Sequence, residues 1–387
     1  MTFRFPIFTL LFLFFLNGYS QKLFEKTYGI DDGLANVNIA DIKQDWKGQL
    51  WFANYGSGVS VFDGKDFTQF DENDGLTNPM VRCLTFDENE NLWAGTVGGG
   101  ISIFINGRFI DFKDTIGGID DHVYSLFTDR DKNIWIGTKT GLFKYSKGRL
   151  EGVSERYNLP DQPIQSIVQD GNGAIWLGFW DKGLFCLKET DSNPTAYELQ
   201  SYNEENGLIS NNISSLEMDQ NGSILIGTFR GLQEATIDDL GLNFNTNKTK
   251  DLPDAQVFDI THSKQFGLCA AFGKEGVYQW NKTQNTWLKL DLYNKGLIYH
   301  LFEDREGFFW LSLWQDKLVR VSSTFVKTHD IGTSITSALS RDLSICGSKI
   351  LAAYPHKIIA FENGTFSDIT KDQTFEQPIN QVLCQND

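Results

Sequence analysis

Four residues after a recurring tryptophan slot, the chain places Tyr55, Val97, Lys139, Trp180, Phe229, Gly273, Trp314 and Pro355. Four of these positions are aromatic, and Arg230 follows Phe229 directly. Flat apolar faces interspersed with polar and cationic groups suit stacking against sugar rings. Tyr55, Lys139, Trp180, Phe229, Arg230 and Trp314 are therefore the candidate ligand-binding set, with an oligosaccharide or similar small molecule as the ligand. The same aromatics would equally serve to plug a layer of loops by packing.

Other chemistry has less support. The histidines His122, His262, His300, His329 and His356 share no position in the repeat and no metal-ligand spacing. His122, at the start of a strand, and His356, in a loop, are the two placed to line a mouth. No histidine stands at a readable spacing from a nucleophilic serine or cysteine. Asp129-Arg130-Asp131-Lys132-Asn133 opens like a calcium loop but lacks the following glycine and the distal glutamate, so it reads as a hairpin turn. No catalytic residue, metal or cofactor is expected.

The elements that must position these residues are set by the tryptophan slot. It holds Trp51, Trp93, Trp135, Trp176 and Trp310, with Leu225, Cys269 and Leu351 in three weaker copies. Successive positions differ by 42, 42, 41, 49, 44, 41 and 41 residues. A period near forty is that of a four-stranded propeller blade. The second copy shows the order: an Asp74-Gly75-Leu76 loop, then strands over Val81–Phe86, Leu92–Thr96, Ile101–Phe104 and Arg108–Phe112. Two residues after the tryptophan slot stand Ala53, Gly95, Gly137, Gly178, Gly227, Ala271, Ser312 and Ala353, all small. Sheets converging toward a central channel would require that. Six residues before the slot, Asp45, Asp87, Asp129, Asp170, Asp219 and Asp304 mark the hairpin between the first and second strands.

Seven copies close a propeller of ordinary size. Leu23–Tyr28 resembles the fourth strand of the other copies, such as Phe67–Phe70, and as an orphan fourth strand at the start it can complete the last blade. The expected fold is all-β: a seven-bladed propeller of four-stranded antiparallel blades over 21–322, then the start of a second propeller over 323–387. Thr324–His329 reads as the second propeller's leading strand, and the residues from Ile379 to Asp387 begin a further repeat and stop at its turn. That favours a piece of a longer protein.

Residues 1–20 read as a secretory signal. Arg4 gives the positive start, Phe5–Leu16 the apolar run, and Gly18 and Ser20 the small residues before Gln21. The run is short for a membrane span. Export, to the periplasm or beyond, is expected. The five cysteines, Cys83, Cys186, Cys269, Cys346 and Cys384, form no CxxC pair and read as buried strand thiols. A net charge of -16 opposes nucleic acid and anionic membrane surfaces as partners, although a local basic pocket for an acidic sugar stays compatible with it.

The pattern Asp32-Gly33-Leu34-Ala35-Asn36-Val37-Asn38, with Asn91-Leu92-Trp93-Ala94-Gly95-Thr96, Asn133-Ile134-Trp135-Ile136-Gly137-Thr138 and Gly171-Asn172-Gly173-Ala174-Ile175-Trp176-Leu177-Gly178, resembles the two-component regulator propeller repeat. The resemblance covers nearly everything after the leader. It implies the extracytoplasmic sensor half of a bacterial hybrid two-component system or related histidine kinase, binding a small molecule or oligosaccharide, with a second copy of itself as a further partner. No later β domain, second apolar span or kinase motif follows in the chain, so kinase activity and membrane attachment would lie in a missing C-terminal region. The alternatives from the residues are a secreted propeller enzyme, a lyase or glycosidase, and a protein-interaction scaffold.

Overall fold

The computed structural model describes residues 23–323, apart from 114–118, 120–121, 191–192, 239–240, 246–248, 250 and 293–294, and residues 342–370, apart from 347–348, 355–356 and 363–364. The leader, the strand expected at Thr324–His329, the segment from Ile379 onward, and His329, Pro355, His356 and Cys384 lie outside them. The chain divides into two compact units, Met1–Thr324 and Phe325–Asp387.

The first unit is a seven-bladed propeller of four-stranded antiparallel sheets. Blade 1 runs through Ile39–Gln44, Leu50–Asn54, Gly58–Phe62 and Phe67–Phe70, each strand paired with the next. The first strands of blades 2 to 7 are Val81–Phe86, Val123–Thr128, Ile164–Gln169, Ile213–Met218, Asp259–Ser263 and Leu297–Glu303. Each packs against the first strand of the next blade, and that of blade 7 packs against that of blade 1, so the seven form a closed inner ring. Leu23–Tyr28 is the outer strand of blade 7: it pairs antiparallel with Lys317–Ser323, with Tyr28 opposite Leu318. The ring is therefore closed by a strand that precedes blade 1 and supplies the fourth, outer strand of blade 7. In the second unit, Asp342–Cys346, Lys349–Tyr354, Lys357–Glu362 and Thr365–Asp368 form one four-stranded antiparallel sheet.

Packing explains the two slots. A Cβ added at Gly95 would lie 2.7 Å from Val123 of the next blade, and one at Gly178 would lie 2.5 Å from Ile213. Neighbouring sheets thus meet at the small slot. Between them lie seven apolar clusters, one for each pair of adjacent blades. The slot tryptophans Trp93, Trp135, Trp176 and Trp310 are each 1% exposed, and a buried side chain of that size stabilises by about 2 to 3 kcal/mol. The Asp-Gly-Leu loops are tight turns joining one blade to the next: Gly75 sits at φ +94 against the Phe109 carbonyl, where no side chain fits, and Leu76 is buried behind it. Among the described residues no helix is long and apolar enough to cross a membrane. Cys83, Cys186 and Cys269 are free and buried, and burial pushes the Cys186 thiol up to about 12.

Candidate ligand-binding site

Inside the inner ring, the first strands of six blades carry a β-bulge at one register position. The extra residues are Ala40, Arg82, Tyr124, Gln165, Ser214 and Tyr299. A bulge re-aims its side chain away from the pleat. All six line one cavity of about 510 Å³, joined from blade 6 by Phe258. That volume suits a small ligand.

The cavity carries aromatic groups on two sides. Trp180 and Phe229, in the loops between the second and third strands of blades 4 and 5, both line it, with ring centroids 5.0 Å apart and planes at 83°. Trp180 is 43% exposed, which leaves part of the indole accessible to a ligand. On the other side Phe258, Tyr299, Trp314 and Tyr55 form a chain with centroid separations of 5.7, 4.7 and 5.6 Å. Phe258 and Tyr299 line the cavity, while Trp314 backs Tyr299 and Tyr55 backs Trp314. The aromatic column thus resolves into two groups, Trp180 with Phe229 and Tyr55 with Trp314. Lys139 and Arg230 are exposed and outside the lining.

Beneath the rim lies a charged cluster that the repeat pattern did not reveal. Asp41 follows the bulge of blade 1 and His300 that of blade 7, and Asp259 follows Phe258 in blade 6. His300 Nδ1 is 2.8 Å from Asp259 Oδ2, and its Nε2 is 3.4 Å from Asp41 Oδ1. Lys43 Nζ donates to Asp41 Oδ1 at 2.9 Å. Each carboxylate also ties its blade to the next: Asp41 Oδ2 accepts from the Leu84 amide at 2.8 Å and Asp259 Oδ2 from the Leu301 amide at 2.8 Å. Burial opposes a charge on His300, but the carboxylates of Asp259 and Asp41 outweigh it and hold the imidazole above its ordinary range. Lys43 is raised in the same way, burial being overcome by Asp41. Glu217 of blade 5 is pushed up to about 8 by burial and by the nearby charge of Asp259, against the opposing pull of Lys43. Among the described residues no group of three or more His, Cys, Asp or Glu side chains is arranged to hold a metal ion.

Sequence reasoning missed Arg82, Tyr124, Phe258, Tyr299 and His300. The one available signal was a column in the repeat, 11 residues before the tryptophan slot, reading Ala, Arg, Tyr, Gln, Ser, Phe and Tyr in the seven copies. Its variation in an otherwise regular repeat marks a position free of the fold's demands.

Fold and site together define a β-propeller with a closed ring of blades and a small-molecule-sized cavity at its central channel. Three of its repeats, over residues 117–140, 158–181 and 207–230, match the model of the two component regulator propeller. No curated protein matches the sequence significantly. Among solved structures, the extracellular domain of a hybrid two component system from B. thetaiotaomicron superposes with a TM-score of 0.66 at 20% identity, covering 93% of this chain and 50% of that one. The chain therefore spans half the length of that neighbour. Virginiamycin B lyase from Staphylococcus aureus, solved with quinupristin, superposes at 0.60 with 13% identity over 78% of this chain and 99% of its own. PorZ, a surface component of the type-IX secretion system of Porphyromonas gingivalis, superposes at 0.59 with 14% identity, over 87% and 59%. At such identities the likeness is one of fold.

Proposed function

We propose that this chain is the extracytoplasmic ligand-sensing propeller of a two-component signalling protein, recognising an oligosaccharide or similar small ligand at the cavity mouth. The observation that carries the reading is the pair of aromatic groups flanking the cavity, Trp180 with Phe229 and Tyr299 with Phe258, above polar walls from Gln165, Ser214 and Gln256. Open aromatic faces take up sugar rings, and the polar groups between them fix orientation. The family of the repeats and the likeness to an extracellular domain of a hybrid two component system support the sensing role and an exported location. Binding would bias the arrangement of this propeller against a second propeller or a second copy of the chain, and any kinase output belongs to other parts of the protein.

Titration of the full chain with a panel of neutral and acidic oligosaccharides, read by tryptophan fluorescence and calorimetry, tests this. Binding that is lost in Trp180→Ala is the expected result, and absence of binding by any saccharide would overturn the proposal. A second reading, a propeller lyase or glycosidase, is favoured by the Asp259–His300–Asp41 arrangement beside the cavity. Product formation from a bound saccharide, abolished in His300→Ala, would support it.

A further inference from the structure

The cavity holds one cation that the fold leaves uncompensated. Arg82, the bulged residue of blade 2, lies over the Tyr124 ring with its guanidinium carbon 4.8 Å from the centroid, and its Nη2 donates to Gln165 Oε1 at 2.6 Å. Tyr124 and Gln165 are the bulged residues of blades 3 and 4, so three consecutive blades brace this one side chain. Among the described residues no carboxylate lies within ion-pair distance of it, in a chain of net charge -16. Its Nε is buried and has no hydrogen-bond partner.

The two acids in the cavity wall cannot serve it, because their oxygens are taken. Asp41 accepts from the Ile42 amide, Lys43 and the Leu84 amide; Asp259 accepts from the Ile260 amide, the Leu301 amide and His300. Lys43 balances the charge of Asp41, and the imidazole of His300, held above its ordinary range, does the same for Asp259. A half-buried cation with no counter-ion, and a buried N–H without a partner, are costly unless something else satisfies them. A planar guanidinium stacked on a ring and braced at one nitrogen has its remaining N–H groups preset in a fork that matches the oxygens of a carboxylate or sulfate.

Resting on the reading that the mouth binds a saccharide, we propose that the ligand is an acidic one, a uronic-acid or sulfated oligosaccharide, whose carboxylate or sulfate ester is seated on Arg82. The aromatics at the mouth take the sugar faces, and Arg82 selects the charge.

The test compares a galacturonate trimer, a chondroitin sulfate disaccharide and a neutral galactose trimer by calorimetry on the full chain at pH 7, in wild type, Arg82→Gln and Arg82→Lys, with each variant's thermal unfolding recorded. The expected result is binding of the galacturonate or the sulfated probe, weakened roughly 10- to 100-fold in Arg82→Gln and less in Arg82→Lys. Wild-type affinity should also fall as salt rises, a measurement that needs no variant. Preference between the two acidic probes separates carboxylate from sulfate. Tight binding of the neutral trimer with equal or better affinity, or acidic binding unchanged in Arg82→Gln, would overturn this inference while leaving saccharide sensing intact. Binding of none of the three would overturn this inference, and the wider saccharide panel then decides the sensing reading.

Discussion

Asp129 Oδ2 accepts a hydrogen bond from the indole nitrogen of Trp135 at 2.8 Å, across the hairpin between the first two strands of blade 3. Its other oxygen accepts from the Asn133 amide at 2.8 Å. The same arrangement recurs between Asp45 and Trp51, Asp87 and Trp93, Asp170 and Trp176, and Asp304 and Trp310, at 2.8 to 3.1 Å. The aspartate and the tryptophan of the repeat are therefore one device. The carboxylate shapes the turn with one oxygen and with the other satisfies the single polar atom of a ring buried between blades, which an apolar interior would otherwise leave unpaired.

Replacing Trp135 with Phe should destabilise the propeller by about 1 to 3 kcal/mol, because Asp129, itself 5% exposed, loses a donor inside the protein. In a double-mutant cycle with Asp129→Ala, measured by urea unfolding, the two costs should fall short of additivity by about 1 kcal/mol or more. Strictly additive costs would show that the two side chains act independently.

The small slot makes a second, steric prediction. Gly178→Val should cost about 1 to 3 kcal/mol or more, since the new side chain would enter the space of Ile213 on the next blade, 2.5 Å from the position of the first added carbon. Ala53→Gly, at the same slot in blade 1, should cost about 1 kcal/mol or less. Thermal melts would decide, and an unchanged midpoint for Gly178→Val would contradict close convergence of the blades at that position.

The blades were readable because each of their demands repeats: a turn acid, a tryptophan and a small residue recur in register, and seven repetitions of one physical requirement leave a periodic trace. The aromatic residues at the mouth were partly readable for the same reason, since Trp180 and Phe229 occupy one slot of that register. Arg82, Tyr124 and His300 left no such trace. They occur once each, at positions where the repeat asks only for a residue that can sit in or beside a bulge. Nothing in the linear order brings Asp259 to His300, or Arg82 to Gln165, 83 residues apart, until the ring closes and all first strands face one channel.

Closure itself can be probed at Tyr28. It is 3% exposed in the last blade and stacks on Trp310 with centroids 5.6 Å apart, against Phe62 and Phe67 of blade 1. Tyr28→Ala should cost about 3 kcal/mol, as loss of a large buried aromatic does. Protease resistance should fall first in blades 7 and 1. Cleavage that begins elsewhere would show that the seal is not the weak seam of the ring.

The buried carboxyl of Glu217 makes stability depend on pH. Its proton is held to about 8 in the folded chain, against 4.5 for an ordinary glutamate, by burial first and then by Asp259, with Asp219 adding to the effect and Lys43 opposing it. Between those values the folded state keeps a proton that the unfolded chain has released, so stability must fall as pH rises from about 4.5 to about 8. His300, facing Asp259, Asp41 and Lys43, acts in the same direction: its raised value stabilises the fold fully below about 6.5, and that contribution is lost as pH rises through its folded value. Glu217→Gln removes the larger effect. The variant should match wild type near pH 4.5 and exceed it at pH 8 by an amount on the order of 3 kcal/mol, leaving only the shallower decline due to His300. Urea unfolding at pH 5, 6, 7 and 8 reads this directly, and a wild-type stability that rises over that range would mean that Glu217 is ionised and paired in the folded protein.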